Sequence, residues 1–236
     1  MDVIGDLVAR DRRSEELAVR TDSRAGSYSY EKLCTNAWKA GNLLRHYGVR
    51  GGATVAVDAG ESVSPPPLTA FFGAALLGAP VDFDPAADTD AKALVAPADR
   101  MDRYGPAPGT KALGYGDVPE APEVVHYEEQ LWSENPNSPP DIVAADATAL
   151  YADEGPFTHD RLLSAAEGVV TEYSLDADAT VALRAPLAEP GTVVAGVLAP
   201  VLAGATILVD RSQEGTVAVA VGDAPEPTVV DPAAVL

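Results

Sequence analysis

The residues best able to do chemistry lie in one short stretch, Asp153-Glu154-Gly155-Pro156-Phe157-Thr158-His159. Asp153 and Glu154 are adjacent carboxylates that could ligate a metal or exchange a proton, although neighbouring loop carboxylates more often just face water. His159 opens a helical pattern, where an imidazole can contact an anion. A capping or packing role for Thr158-His159-Asp160 is the reading the position favours. His46 and His126 have no Cys, Asp or Glu at ligand spacing with helical or hairpin support, and read as surface or half-buried side chains. Gly114-Tyr115-Gly116-Asp117 lacks the third glycine and following helix of a dinucleotide fingerprint, so it reads as a turn. Ser164 stands outside any G-x-S-x-G context. The sequence thus offers no catalytic set and no metal-ligand set.

Composition narrows the partners. The 236 residues carry 36 acidic against 16 basic side chains, a formal net charge of −20. Such a surface repels nucleic acid and anionic membranes, so neither is expected as a partner. Four of the basic residues are Lys and twelve are Arg, and the acids are dispersed (Asp82, Asp84, Asp88, Asp90) rather than gathered in a tail. Distributed acidity with little Lys resembles the proteins of salt-in halophiles, in particular haloarchaea; an ordinary acidic cytosolic protein is the plainer alternative. The single Cys34 excludes an internal disulfide framework and a cysteine-based metal site, and its helical context suggests a buried small hydrophobe. The N-terminus has no signal-like pattern. The apolar runs 67–81 and 193–209 fall short of the roughly 20 residues a spanning helix needs. A cytoplasmic location is the expectation.

The elements that must position the candidate residues follow from periodicity. Residues 2–9 suit a short amphipathic helix. The apolar stretches 17–20 and 27–30, with the turn-rich 21–26 between them, suit a β-hairpin. Leu33, Ala37, Ala40, Leu43, Leu44 and Tyr47 recur at helical spacing and Gly48 follows as a stop. Strands are expected at 54–57, 81–83, 93–95, 111–115, 147–151, 180–184, 206–209 and 216–221. Helices are expected at 65–77, 158–173 and 192–202, the first started by prolines. This alternation predicts an α/β fold, layered, with mostly parallel sheets flanked by helices. Residues 133–140 form a Pro/Asn linker, so the chain is either one domain over 1–236 or two lobes, 1–132 and 141–236.

The order of these segments resembles the N-terminal portion of the adenylate-forming superfamily, which includes acyl-CoA synthetases. Tyr28-Ser29-Tyr30-Glu31-Lys32-Leu33 is similar to that family's "(T/S)Y-x-E-L" helix start. Tyr47-Gly48-Val49-Arg50-Gly51-Gly52-Ala53-Thr54-Val55-Ala56-Val57 resembles its "G-V-x-x-G-D-x-V-A-V". Ala70-Phe71-Phe72-Gly73-Ala74-Ala75-Leu76-Leu77-Gly78-Ala79 and Leu198-Ala199-Pro200-Val201-Leu202-Ala203-Gly204-Ala205-Thr206 resemble "A-x-x-G-A-x-x-x-G-A" and "L-x-P-L-x-x-G-A-T".

The resemblance implies a Ser/Thr/Gly-rich loop ending in Pro-Lys-Gly after strand 147–151, cradling ATP phosphates with its backbone N–H groups and its Lys. This chain instead reads Ala152-Asp153-Glu154-Gly155-Pro156-Phe157 before resuming "T-H-x-x-L" at Thr158-His159. The loop is cut short, has no Lys and gains two carboxylates. Asp153, Glu154, Gly155, Thr158 and His159 therefore mark a degenerate phosphate-loop position. Pro186-Leu187 match "P-L-(F/Y)-H", but the His is missing. The resemblance also implies that the adenine-binding, ribose-binding and lid segments lie beyond these residues, which reads as a truncated relative. The expectation is a non-catalytic, acyl-CoA synthetase-like protein with no cofactor and a binding, regulatory or assembly role. Its expected partner is a second copy or a full-length synthetase. The alternative is part of an AMP-forming acyl-CoA ligase completed by another chain, using ATP, Mg and CoA.

Overall fold

The computed structural model describes residues 1–22 and 26–236. Short 3-10 turns at Ile4–Val8 and Arg10–Arg12 precede β1 (Leu17–Arg20) and β2 (Tyr28–Ser29), which pair antiparallel. The hairpin is as expected, and 23–25 of its turn lie outside the described residues. Residues 2–9 are not an amphipathic α-helix. Ala9 is extended, and the Asp6 carboxylate accepts the N–H groups of Asp2 and Val3, leaving only a tight turn that buries Ile4, Leu7 and Val8.

Helix α1 (Tyr30–His46) starts where Ser29 Oγ accepts the Lys32 N–H at 3.2 Å, and Gly48 follows at φ 87°, a left-handed conformation suited to glycine. Strand β3 (Val55–Val57) leads to α2 (Pro65–Ala75) and β4 (Val81–Asp82). The two helices cross at glycines. A Cβ on Gly73 would stand 2.7 Å from Ala40 Cβ and from the Gly41 nitrogen, a distance that only a missing side chain permits. The chain continues through β5 (Ala93–Pro97), β6 (Lys111–Tyr115), β7 (Val125–His126) and α3 (Tyr127–Ser133). Then come β8 (Thr148–Ala152), β9 (Gly155–Thr158), α4 (His159–Glu172) and β10 (Thr180–Leu183).

Helix α5 (Pro190–Val193) runs through a π-helical turn at Val194–Leu198 into α6 (Ala199–Ala203). Pro200 has no N–H to give to this helix, and the Ala199 N–H reaches back to the Val194 carbonyl instead. β11 (Thr206–Leu208), β12 (Val217–Val219) and β13 (Val229–Val230) follow, and a 3-10 turn at Pro232–Ala234 comes after them.

The strands form two sheets. The first has the order β13-β12-β10-β11-β1-β2, the second β7-β6-β5-β3-β4-β8-β9. All pairings are parallel except the hairpins β1/β2 and β8/β9. This is the layered, mostly parallel α/β fold expected from the alternating pattern. Strands from both sides of 133–140 share the second sheet, since Val81 pairs with Leu150. The linker lies along α1, where the Asn42 amide donates to the carbonyls of Asn135 and Asn137 at 3.0 and 2.8 Å.

One continuous core joins an inner face of each sheet to the helices, and strand alternation decides membership. Ala93 and Val95 enter it, while Leu94 and Ala96 point to the opposite face with Met101 and Tyr104 packed over that outer group. Val181 and Val217 enter it, while Ala182 and Ala218 form another outer group with Leu208. Apolar side chains on both faces are what a parallel sheet requires. Cys34 is fully buried.

Candidate functional site

Residues 152–158, where the resemblance placed a phosphate loop, form a tight β-hairpin. Strand β8 runs out at Ala152, Asp153 and Glu154 turn the chain, and β9 returns antiparallel from Gly155. Gly155 has φ 115°, outside the range that side-chain-bearing residues accept easily, so glycine is the residue that closes this turn. Pairing continues through Tyr151 with Pro156 and Leu150 with Phe157, which is buried. The expected short loop is therefore replaced by a ladder-bonded strand at the sheet edge. Pro156 is tolerated there because an edge strand leaves one row of N–H groups unpaired.

Parallel pairing brings further carboxylates to this turn. Asp82 stands in register with Tyr151, so the chain leaving β4 and the chain leaving β8 emerge side by side at the carboxyl end of the sheet. Asp82, Asp84, Asp153, Glu154 and Glu189 line a cavity of about 280 Å³ there, closed by Tyr151 and the start of α5. No Lys, Arg or His lines it. Partial burial raises the Asp82 pKa above the usual carboxylate value, and the charges of Asp84 and Asp153 add to the rise against the Asp84 N–H bond. Open α/β sheets bind ligands outside the carboxyl ends of their strands, so the location suits a ligand and the charge selects against an anionic one. Each carboxylate at contact distance from a phosphate costs about 1 kcal/mol even in water-like surroundings. A two-residue turn that offers carboxylates and no lysine does not fit a nucleotide triphosphate. Among the described residues no group of three or more His, Cys, Asp or Glu side chains is arranged to hold a metal.

His159 faces away from this cleft. Its side chain is fully buried, and Nδ1 accepts the Ile4 N–H at 3.2 Å. Burial lowers its pKa to about 4, outweighing the opposing pull of Asp160 and Asp6, so the ring is neutral near pH 7 and its proton sits on Nε2. The anion-contact role is excluded by this burial, and the packing role holds. Thr158 gives its hydroxyl hydrogen to Asp160 Oδ1, which also accepts the Arg161 N–H at 2.7 Å. Those two donors hold the Asp160 carboxyl below the usual range.

The other candidates are dispersed. His46 is exposed with its ring edge against Tyr47, and Ser164 lies exposed on α4. Gly116 has φ 91° and donates its N–H to Glu128 at 2.9 Å, as a turn residue does. His126 is partly buried as expected, but it has carboxylate neighbours that the sequence did not show. It is half-buried at the start of α3, and Glu128 and Glu129 come within 3.5 and 3.8 Å of its ring nitrogens. Local spacing hid this because the helix start folds both carboxylates back over the ring.

Two polar clusters escaped the sequence reading. Asp58, directly after the fully buried β3, accepts bonds from Arg100 Nε and the Tyr104 hydroxyl, each at 2.9 Å, and from the Gly60 N–H at 2.8 Å. An acid ending an all-apolar strand was its available signal. Arg184 and Glu226 form the second, a pair at the end of β10 in which Glu226 is buried and Arg184 partly exposed.

The class these features define is a fold, that of the N-terminal domain of acyl-CoA synthetases. In particular, the anthranilate CoA ligase AuaEII in complex with anthranoyl-AMP superposes with a TM-score of 0.75 at 16% identity, over 92% of this chain and 49% of that one. A benzoate CoA ligase from Burkholderia xenovorans gives 0.73 at 17% identity, over 92% and 50%. The N-terminal domain of FACL13 from Mycobacterium tuberculosis gives 0.69 at 16%, over 93% and 63%. The chain thus spans about half the length of the first two ligases. No protein-family model and no curated protein matches the sequence.

Proposed function

We propose that this protein is a non-catalytic member of the acyl-CoA synthetase-like fold, serving in binding, regulation or assembly without nucleotide chemistry. The observation that carries the reading is the Asp153–Glu154 hairpin. It fills the phosphate-loop position with a strand turn and joins Asp82, Asp84 and Glu189 in an acidic cleft. A cytoplasmic, halophilic setting belongs to the same reading, supported by the net charge of −20, and its proposed partner is a second copy or a full-length synthetase. Isothermal titration with ATP–Mg at molar salt tests it. No heat of binding is expected, and micromolar affinity would overturn the proposal.

The second reading is a component of an AMP-forming acyl-CoA ligase completed by another chain, with ATP, Mg and CoA bound by the assembly. The fold shared with the N-terminal domain of acyl-CoA synthetases supports it. Carboxylate-dependent pyrophosphate exchange on mixing with a candidate partner is the outcome it requires.

A further inference from the structure

A concave surface larger than the acidic cleft lies on the outer face of the second sheet. Parallel strands are ordinarily joined by crossovers that carry an α-helix, and that helix shields the strand face it crosses. Two adjacent crossovers here lack one. Between β5 and β6 the chain forms only the short 3-10 helix Ala98–Arg103 and a Gly/Pro loop, and between β6 and β7 it forms turns without a helix. A groove of about 670 Å³ remains between the two connections. Its floor is the outward-facing Leu94 and Ala112, and its walls are Met101 and Tyr104 on one side and Val118 and Val124 on the other. Val118 is 74% exposed, so the apolar lining reaches the surface.

The rim has one sign. Asp99, Asp102, Asp117, Glu120 and Glu123 surround the groove, and no Lys, Arg or His lines it. An apolar trough with an anionic border selects an occupant that is apolar along one face and cationic at its edges. At this groove a second copy would meet the acidic rim with an excess of carboxylates of its own, 36 acidic against 16 basic side chains. A small polycation would leave the trough unfilled. We infer that this groove is the docking site for a basic amphipathic segment of a partner protein, whose apolar side chains meet Leu94, Met101 and Tyr104 while its Lys or Arg residues meet the rim. Methionine suits such a wall because its flexible thioether adapts to different apolar shapes. This inference does not rest on the nucleotide reading, and either can fail alone.

The chain has two methionines, Met1 and Met101, so methyl-labelled methionine gives one signal in the groove and one internal control. The probe is an amphipathic Leu/Lys peptide, with a Leu/Glu peptide of the same pattern and spermine as comparisons. The expected result is a saturable shift of the Met101 methyl with the Leu/Lys peptide alone, Met1 staying still. The rim variant Asp99→Asn/Asp102→Asn/Glu120→Gln is expected to weaken binding about tenfold or more. Ala112→Phe, which fills the floor, is expected to abolish it, circular dichroism confirming that both variants fold. An unmoved Met101 signal, an equal response to the Leu/Glu peptide or to spermine, or unchanged affinity in the rim variant overturns the proposal. So does a Met101 shift that depends on protein concentration alone, which would assign the groove to self-association.

Discussion

Arg184 donates from Nε to both carboxylate oxygens of Glu226 at 3.0 Å each, and the Glu226 side chain is wholly excluded from solvent. The same arginine donates to the Gln213 carbonyl at 2.7 Å, and Glu226 accepts the Gly215 N–H at 3.2 Å. One ion pair therefore ties the end of β10 to two loops of the first sheet. Removing the buried Glu226 strands a guanidinium that is only 15% exposed. Glu226→Ala is expected to lower stability by about 3–5 kcal/mol, read from urea unfolding. A loss under about 1 kcal/mol would show that the pair does not organise these loops.

Burial works to raise the Glu226 pKa, but the Arg184 bonds and the Gly215 N–H hold it below the usual value. A depressed carboxylate stabilises the fold above its unfolded pKa, and that contribution is lost as pH falls through the folded one. His159 shares this acid sensitivity at higher pH. Its folded pKa of about 4 lies below the ordinary 6.5, so the unfolded chain binds the extra proton first. Its contribution is complete above about pH 6.5 and drains away toward pH 4, on the order of 3 kcal/mol in all. His159→Leu is expected to flatten the pH dependence of the unfolding midpoint in that window. It should also cost about 1–3 kcal/mol, because the Ile4 N–H loses its acceptor. An unchanged slope would assign the acid sensitivity elsewhere.

Asp153→Asn is expected to bring the Asp82 pKa partway down, since the charge of Asp153 is one contributor and burial remains the larger one. Carboxyl-carbon NMR titration reads this directly. No change would mean that the hairpin turn does not act on the cleft.

Raising KCl from about 0.1 M to about 2 M is expected to raise the thermal midpoint, because screening relieves repulsion among the dispersed carboxylates. A gain of about 4 °C or more corresponds to roughly 1 kcal/mol or more at this chain length. A flat or falling midpoint would remove the halophilic reading.

Helices α1 and α2 were legible because their apolar spacing and glycine stops are local signals, and burial of Leu33, Leu43 and Phe72 agrees with them. Strand β9 was not, because Pro156 argues against a strand and Asp-Glu is no standard hairpin turn; only Gly155 hinted at it. Asp153 and Glu154 stood out as a pair, but Asp82, Asp84 and Glu189 looked like scattered acidity until the β4/β8 register assembled them. The role of His159 depends on the Ile4 N–H at the far end of the chain, beyond any spacing rule.

The first sheet is stitched from both ends of the chain, with Val19 beside Ile207 and Arg20 beside Leu208. A two-stranded hairpin is marginal alone, so β1 and β2 have no sheet to join while the chain is being made. Their partner strand lies far along the sequence and leaves the ribosome much later, and such distant pairings close slowly. Biogenesis thus has a late checkpoint. Until β11 emerges, the nascent protein exposes Val19 and the unpaired edge of β1, and it is in that interval that a chaperone would find it.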